Sequence, residues 1–156
     1  MACGIVRIVY SSVRFAVIFA AAALIAACGS AQSTTNIPTA PTSTAEYSQT
    51  DVVEGSGTGA AAGNIITVNY TGWLYDVLKP DKKGLQFETS IGTSPIIFQL
   101  GSGQVIPGWD QGIAGMKVGG TRRLVLPPSL GYGGTRNGII PPYTSLVFDI
   151  QLLAVQ

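Results

Sequence analysis

The 156-residue chain is 46% hydrophobic and 11% charged, enough apolar material for one domain with its own core once non-folding ends are set aside. Nine basic against eight acidic side chains give a formal charge of +1, so no nucleic-acid partner is expected, and the absence of histidine removes the commonest proton shuttle and neutral metal ligand. The only cysteines, Cys3 and Cys28, both precede the patterned region, so any intramolecular disulfide lies outside the core.

At the amino terminus Arg7 and Arg14 stand ahead of FAVIFAAAALIAA, Phe15 to Ala27. This apolar run is shorter than the roughly 20 residues of a membrane-spanning helix and has the size of an export signal. It ends in Ile25-Ala26-Ala27-Cys28, which resembles the lipobox of bacterial lipoprotein precursors. The resemblance implies a signal peptide over residues 1–27, cleavage before Cys28, lipid on its thiol and acylation of the new amino terminus. Several acyl chains anchor a protein stably where one binds only marginally, so a membrane contact through Cys28 is expected. Gly29 in place of aspartate, by the usual bacterial sorting pattern, points to the periplasmic face of an outer membrane, or to the outer face of the plasma membrane in a cell without one. A simple cleaved secretion signal and an uncleaved anchor are the competing readings. Residues 28–50, which run SAQSTTNIPTAPTSTAEYSQT from Ser30, are rich in Ser, Thr, Ala and Pro, offer little to bury, and read as a flexible tether.

Folded character is expected over residues 51–156. VVEGSGTGAAAGN reads as a strand and a turn, and IITVNYTGWL as a strand with Ile66, Val68 and Tyr70 on one face. Gly72 marks a bulge or a close backbone approach. Residues 76–84, broken by Pro80, form a loop, and Leu85 to Thr89 resumes extended structure. PIIFQL puts Ile96, Phe98 and Leu100 on one side, and Gly101 and Gly103 end the run. Pro107 suits the first turn of a short helix in which Trp109 and Ile113, four apart, share a face. Thr121 to Leu126 is a further strand, PPSLGYGGTRNGIIPPYT a long Pro- and Gly-punctuated connection, and SLVFDIQLLA a last strand with Leu146, Phe148, Ile150 and Leu152 in phase. Together these predict an α+β domain in which an antiparallel sheet of about five strands wraps over one short helix. Ile113, Leu124, Leu146 and Ile150 are expected in the core, and the adjacent Arg122 and Arg123 on opposite faces.

Ordinary catalytic apparatus is hard to assemble from these residues. Ser94, Ser102, Ser129 and Ser145 have no histidine partner, and GTGAAAG, Gly57 to Gly63, lacks the lysine of a phosphate loop. Glu88 and Asp110 make only a chance pair of carboxylates. No metal and no cofactor are expected, which leaves a concave apolar site as the place for chemistry.

Four ordered motifs then carry a family resemblance: VNYTGWL, QFETS, FQLGSGQVIPGWDQGIAGMKVGGTRRLVLPPSLGYG and GIIPPYTSLVFDIQLL. Over roughly Val53 to Ala154 the chain resembles the FKBP-type peptidyl-prolyl cis-trans isomerases. The resemblance implies a bent antiparallel sheet around the short helix, and a pocket that binds a proline-containing segment and speeds rotation about the bond before proline. It assigns Tyr70, Phe87, Glu88, Ile106, Trp109, Tyr132 and Phe148 to catalysis, and Ile96, Val105, Ile139 and Ile140 to substrate binding. Trp109 is the expected floor, Tyr70, Phe87 and Phe148 the sides, and the Ile106 N–H and Tyr132 hydroxyl the donors to substrate carbonyls. Two positions depart from the family pattern: Ile96 stands where an aromatic is common, and Glu88 where aspartate is usual, its extra methylene disturbing an expected hydrogen bond with Tyr132. The implied partners are unfolded or partly folded polypeptides containing proline and macrolides of the FK506 or rapamycin type, bound by a monomer. A proline-directed binding module or holdase with little turnover is the alternative function.

Overall fold

The computed structural model describes residues 44–156. The expected signal peptide, Cys28 and the tether up to residue 43 lie outside the described residues.

The element order is β1 (Ser48–Val53), β2 (Ile65–Tyr75), β3 (Lys83–Thr89), β4 (Ile96–Gln99), α1 (Pro107–Ile113), β5 (Thr121–Leu126), a 3-10 turn (Pro128–Leu130) and β6 (Leu146–Val155). The strands form one six-stranded sheet in the order β1-β5-β6-β2-β3, with β4 also paired to β2. Every pairing is antiparallel. This is the α+β arrangement expected, a sheet around one short helix, with one strand more than the pattern suggested.

The strand expected from Val52 onward is present but starts earlier than the boundary drawn at residue 51. β1 begins at Ser48, inside the segment read as tether, and pairs with β5 from Ser48↔Val125 to Val53↔Thr121. Ahead of it Ala45 is buried, its N–H donating to Ser145 Oγ at 3.0 Å. All six side chains of β1 are exposed, so the strand is held by backbone pairing and leaves no alternation to read.

The core lies between the sheet's concave face and α1. Ile66, Val68 and Tyr70 from β2, Leu124 and Leu126 from β5, and Leu146, Phe148, Ile150 and Leu152 from β6 are buried there with Trp109 and Ile113 of α1. Each fully buried Leu or Ile contributes roughly 1.5–3 kcal/mol relative to exposure. The helix comes close to the sheet through glycines. A Cβ on Gly108 would lie 2.5 Å from Leu126 Cδ2, and one on Gly112 2.6 Å from Leu124 Cδ1.

Pro107 opens α1, and the extended backbone of Ala114 with Gly115 at φ +80 closes it after seven residues. No side chain caps its start, but Arg122 serves its end: Nη1 donates to the carbonyls of Gly112 and Ala114 at 2.9 and 3.2 Å. The same guanidinium grips Asp51 of β1 through Nε at 2.6 Å and Nη2 at 3.0 Å. Arg123 points to the other face and pairs with Asp149 at 2.8 and 3.0 Å, where Lys83 also donates at 2.6 Å. The two arginines thus face opposite ways, and each joins strands distant in sequence.

Candidate active site

Side chains from four strands, the helix and two loops meet in one open cavity of about 440 Å³, lined by Tyr70, Glu88, Ile96, Gly103, Gln104, Val105, Ile106, Trp109, Tyr132 and Phe148. That volume is within the roughly 300–1,000 Å³ typical of small-ligand sites. Strand alternation delivers Tyr70 and Phe148 to the concave face, and α1 carries Trp109 beneath them.

Trp109 is 4% exposed, yet it lines the cavity and forms its floor. Tyr70 meets the indole nearly edge-on at a centroid distance of 4.9 Å, Phe148 does so at 5.2 Å, and Phe98 leans on it at 6.1 Å. Such edge-to-face contacts are worth about 0.5–1.5 kcal/mol each beyond area burial, so the floor is rigid. The indole Nε1 is buried without a hydrogen-bond partner. The floor therefore offers a ligand an aromatic surface and no accessible donor.

The polar groups sit on the walls. The Ile106 carbonyl accepts the Trp109 amide at 2.9 Å to start the helix, while the Ile106 N–H donates no backbone hydrogen bond among the described residues. Burial, and after it the Glu88 carboxylate on the same wall, pushes the Tyr70 hydroxyl well above the ordinary tyrosine range. Tyr132 is also pushed up, by burial first and then by the charge of Glu88, with the Asn137 side chain pulling the other way. Both hydroxyls thus stay protonated and remain donors across neutral pH. The charge of Glu88 thus reaches both tyrosines of the site.

Of the eleven binding and catalytic positions inferred from sequence, eight line this cavity and three stand elsewhere. Phe87 is half-buried and stands edge-on to Phe148 at 5.6 Å, close to Gly72, and is not among the lining residues. Ile140 turns into the core at 4% exposure, held by reciprocal backbone hydrogen bonds with Asn137 at 2.8 and 3.2 Å, and Ile139 faces solvent at 55%. A tight turn sends successive side chains in opposite directions, and here neither direction is the cavity. Sequence reasoning missed Gly103 and Gln104, whose only signal was the glycine pair that ends the strand at Leu100.

With one carboxylate, two protonated tyrosines and Gln104 among its aromatic and aliphatic lining, the site can orient a carbonyl-bearing ligand over an apolar floor. Nothing on that lining is arranged as a nucleophile with its base.

A protein-family model described as FKBP-type peptidyl-prolyl cis-trans isomerase matches residues 57–153. A protein of Neisseria meningitidis serogroup A named FK506-binding protein is 45% identical over 107 residues, covering 67% of this chain and 92% of its own. FK506-binding protein 1 of Aspergillus oryzae is 38% identical over 108 residues, covering 67% and 93%. Among solved structures, FkpA from Escherichia coli superposes with a TM-score of 0.58 at 38% identity, over 70% of this chain and 48% of that one. AtFKBP13 superposes with a TM-score of 0.59 at 35% identity, over 70% and 93%. With the family's motifs in order and its aromatic cavity assembled on a sheet wrapped around one helix, the chain belongs to the FKBP-type peptidyl-prolyl cis-trans isomerases.

Proposed function

We propose that this isomerase catalyses rotation about Xaa-Pro bonds of exported proteins by holding a twisted amide over the Trp109 indole. Amide resonance sets a rotation barrier of roughly 18–20 kcal/mol, while the cis and trans forms before proline differ by only about 0.5–1 kcal/mol. Midway through rotation that resonance is lost, the carbonyl oxygen carries less charge and the nitrogen becomes pyramidal. An apolar, water-poor cavity suits this state better than the planar one, and only such preferential binding raises the rate. Each tenfold acceleration needs about 1.4 kcal/mol of preference.

The reading assigns Trp109 to the prolyl ring, Tyr70 and Phe148 to its sides, and Ile96 and Val105 to the aliphatic wall. The Ile106 N–H and the Tyr132 hydroxyl hold carbonyls on one side of the bond while the other side turns. Glu88 places a carboxylate on the cavity wall, and Phe87, edge-on to Phe148, completes the aromatic side. The observation that carries the reading is the open cavity of about 440 Å³ whose floor is an indole fixed edge-on by two rings. A protease-free assay of cis-to-trans relaxation on short Xaa-Pro peptides tests it. Acceleration is the expected result, and binding without acceleration would leave only a holdase. The relatives named for FK506 support a macrolide ligand in the same cavity, seen as inhibition in that assay.

The second part of the proposal concerns place. The run Phe15 to Ala27 followed by Cys28 supports export, cleavage and lipid attachment, with the folded domain at the periplasmic face of an outer membrane, or at the outer face of the plasma membrane in a cell without one. In bacteria fed a labelled lipid precursor the natural chain is expected to take up label and sediment with membranes, and Cys28→Ser to lose both. Unchanged labelling and attachment in Cys28→Ser would rule the anchor out.

A further inference from the structure

The wall that presents the Ile106 N–H is a short loop, and its shape is set from the helix that carries the floor. Between β4 and α1 the chain turns through Gly101 at φ +79 and Gly103 at φ +72, conformations that side-chain-bearing residues rarely adopt. Inside this turn both backbone N–H groups point to one side chain. Asp110 Oδ1 accepts from Gly101 N–H at 2.8 Å, and Oδ2 from Gly103 N–H at 3.0 Å. Ser102 Oγ donates to the Gln99 carbonyl at 2.7 Å and Gln104 Oε1 accepts from Gln99 N–H at 3.2 Å, closing the loop onto the end of β4.

Asp110 directly follows Trp109 on α1, and the clamped Gly103 is itself part of the cavity lining, as are Gln104, Val105 and Ile106 after it. One carboxylate thus ties the wall to the floor across the mouth of the loop. Hydrogen bonds from backbone N–H groups to a charged acceptor are roughly twice as strong as neutral ones. With both oxygens engaged, the turn has little freedom to slide along the helix.

We propose that Asp110 is a positioning residue for isomerisation, which sets the distance from the Ile106 N–H and the Val105 wall to the Trp109 indole by clamping the Gly101–Gly103 turn. Asp110 itself is not among the residues that line the cavity. It acts through the loop, so removing it lets the donor drift from the place where the twisted amide's carbonyl is held. A displacement of about 1 Å at a positioned group can cost on the order of 100-fold in rate. The inference rests on the isomerase reading above.

The test compares the full natural chain with Asp110→Asn and Asp110→Ala by steady-state isomerisation of an Xaa-Pro peptide, thermal unfolding, and the amide NMR shifts of Ile106 and Tyr132. Asparagine keeps the shape and one acceptor oxygen but turns an N–H towards the second glycine amide. Asp110→Asn is expected to lower kcat about tenfold with KM changed less than threefold, and to move the Ile106 amide signal while Tyr132 stays in place. Asp110→Ala is expected to lose more activity. If Asp110→Ala fails to fold, Asp110→Asn alone decides. A folded Asp110→Asn with kcat within twofold of the natural chain, or with loss explained by the unfolded fraction, overturns the proposal. An inactive natural chain would instead sink the isomerase reading itself, so the two failures are told apart.

Discussion

Gly72 shows how little room the aromatic wall has. A Cβ there would lie 2.6 Å from Phe87 Cζ and 2.8 Å from Phe148 Cε1, and neither ring has a flexible end to yield. Overpacking of this kind costs about 1–3 kcal/mol, so Gly72→Ala is expected to lower the urea midpoint by a corresponding amount and to reduce isomerisation by displacing Phe148. Urea unfolding paired with the peptide assay checks this, and unchanged values in both would show that the wall can relax. The close approach at Gly72 was legible in the sequence, because a glycine inside an alternating strand has few other uses. Sequence alone could not show that the rings filling the space are those of Phe87 and Phe148. Ile139 and Ile140 are not among the lining residues, and here a family motif fixes which residues are present, while the turn at Asn137–Ile140 decides where their side chains point.

At the scale of elements, ion pairs tie β6 both to its sheet neighbour β5 and to β3, which lies beyond β2. Asp149 of β6 receives Arg123 of β5 and Lys83 of β3, and the Lys83 ammonium also sits 3.9 Å over the Trp73 ring. Burial pushes the Asp149 carboxyl up, but the hydrogen bonds and charges of Arg123 and Lys83 outweigh it and hold the group below the ordinary carboxylate range. A carboxyl depressed in the folded state contributes stability that is present above its unfolded value near about 3.9, and that is lost as pH falls through the lower folded value. The Tm advantage of the natural chain over Asp149→Asn is therefore expected to be full at neutral pH and to shrink below about pH 4. A pH-independent difference would mean that the network stabilises by packing alone. Period-two runs revealed β2, β4, β5 and β6, since each buries one face. They were silent on where β1 starts, because its six exposed side chains resemble a linker and its place depends on pairing with β5 and on Asp51 gripping Arg122.

Across the whole molecule, one sheet and one seven-residue helix enclose a cavity that could not form from either element alone. The sheet supplies Tyr70 and Phe148, the helix Trp109, and the loops between them the Ile106 amide and Tyr132. The sequence revealed this architecture because apolar periodicity and helix-closing glycines are local signals. The depth of the floor, the unpartnered indole N–H and the clamp on the Gly101–Gly103 turn arise only when distant segments meet. The most direct test of the account is the rate of cis-to-trans relaxation of a short Xaa-Pro peptide with the natural chain and with Trp109→Leu, alongside peptide affinity and Tm. Leucine keeps the site apolar but removes the flat floor. The account predicts acceleration by the natural chain, and a loss of at least tenfold in kcat/KM in a variant that remains folded, equivalent to about 1.4 kcal/mol of transition-state preference. Equal rates from the two folded proteins would contradict it.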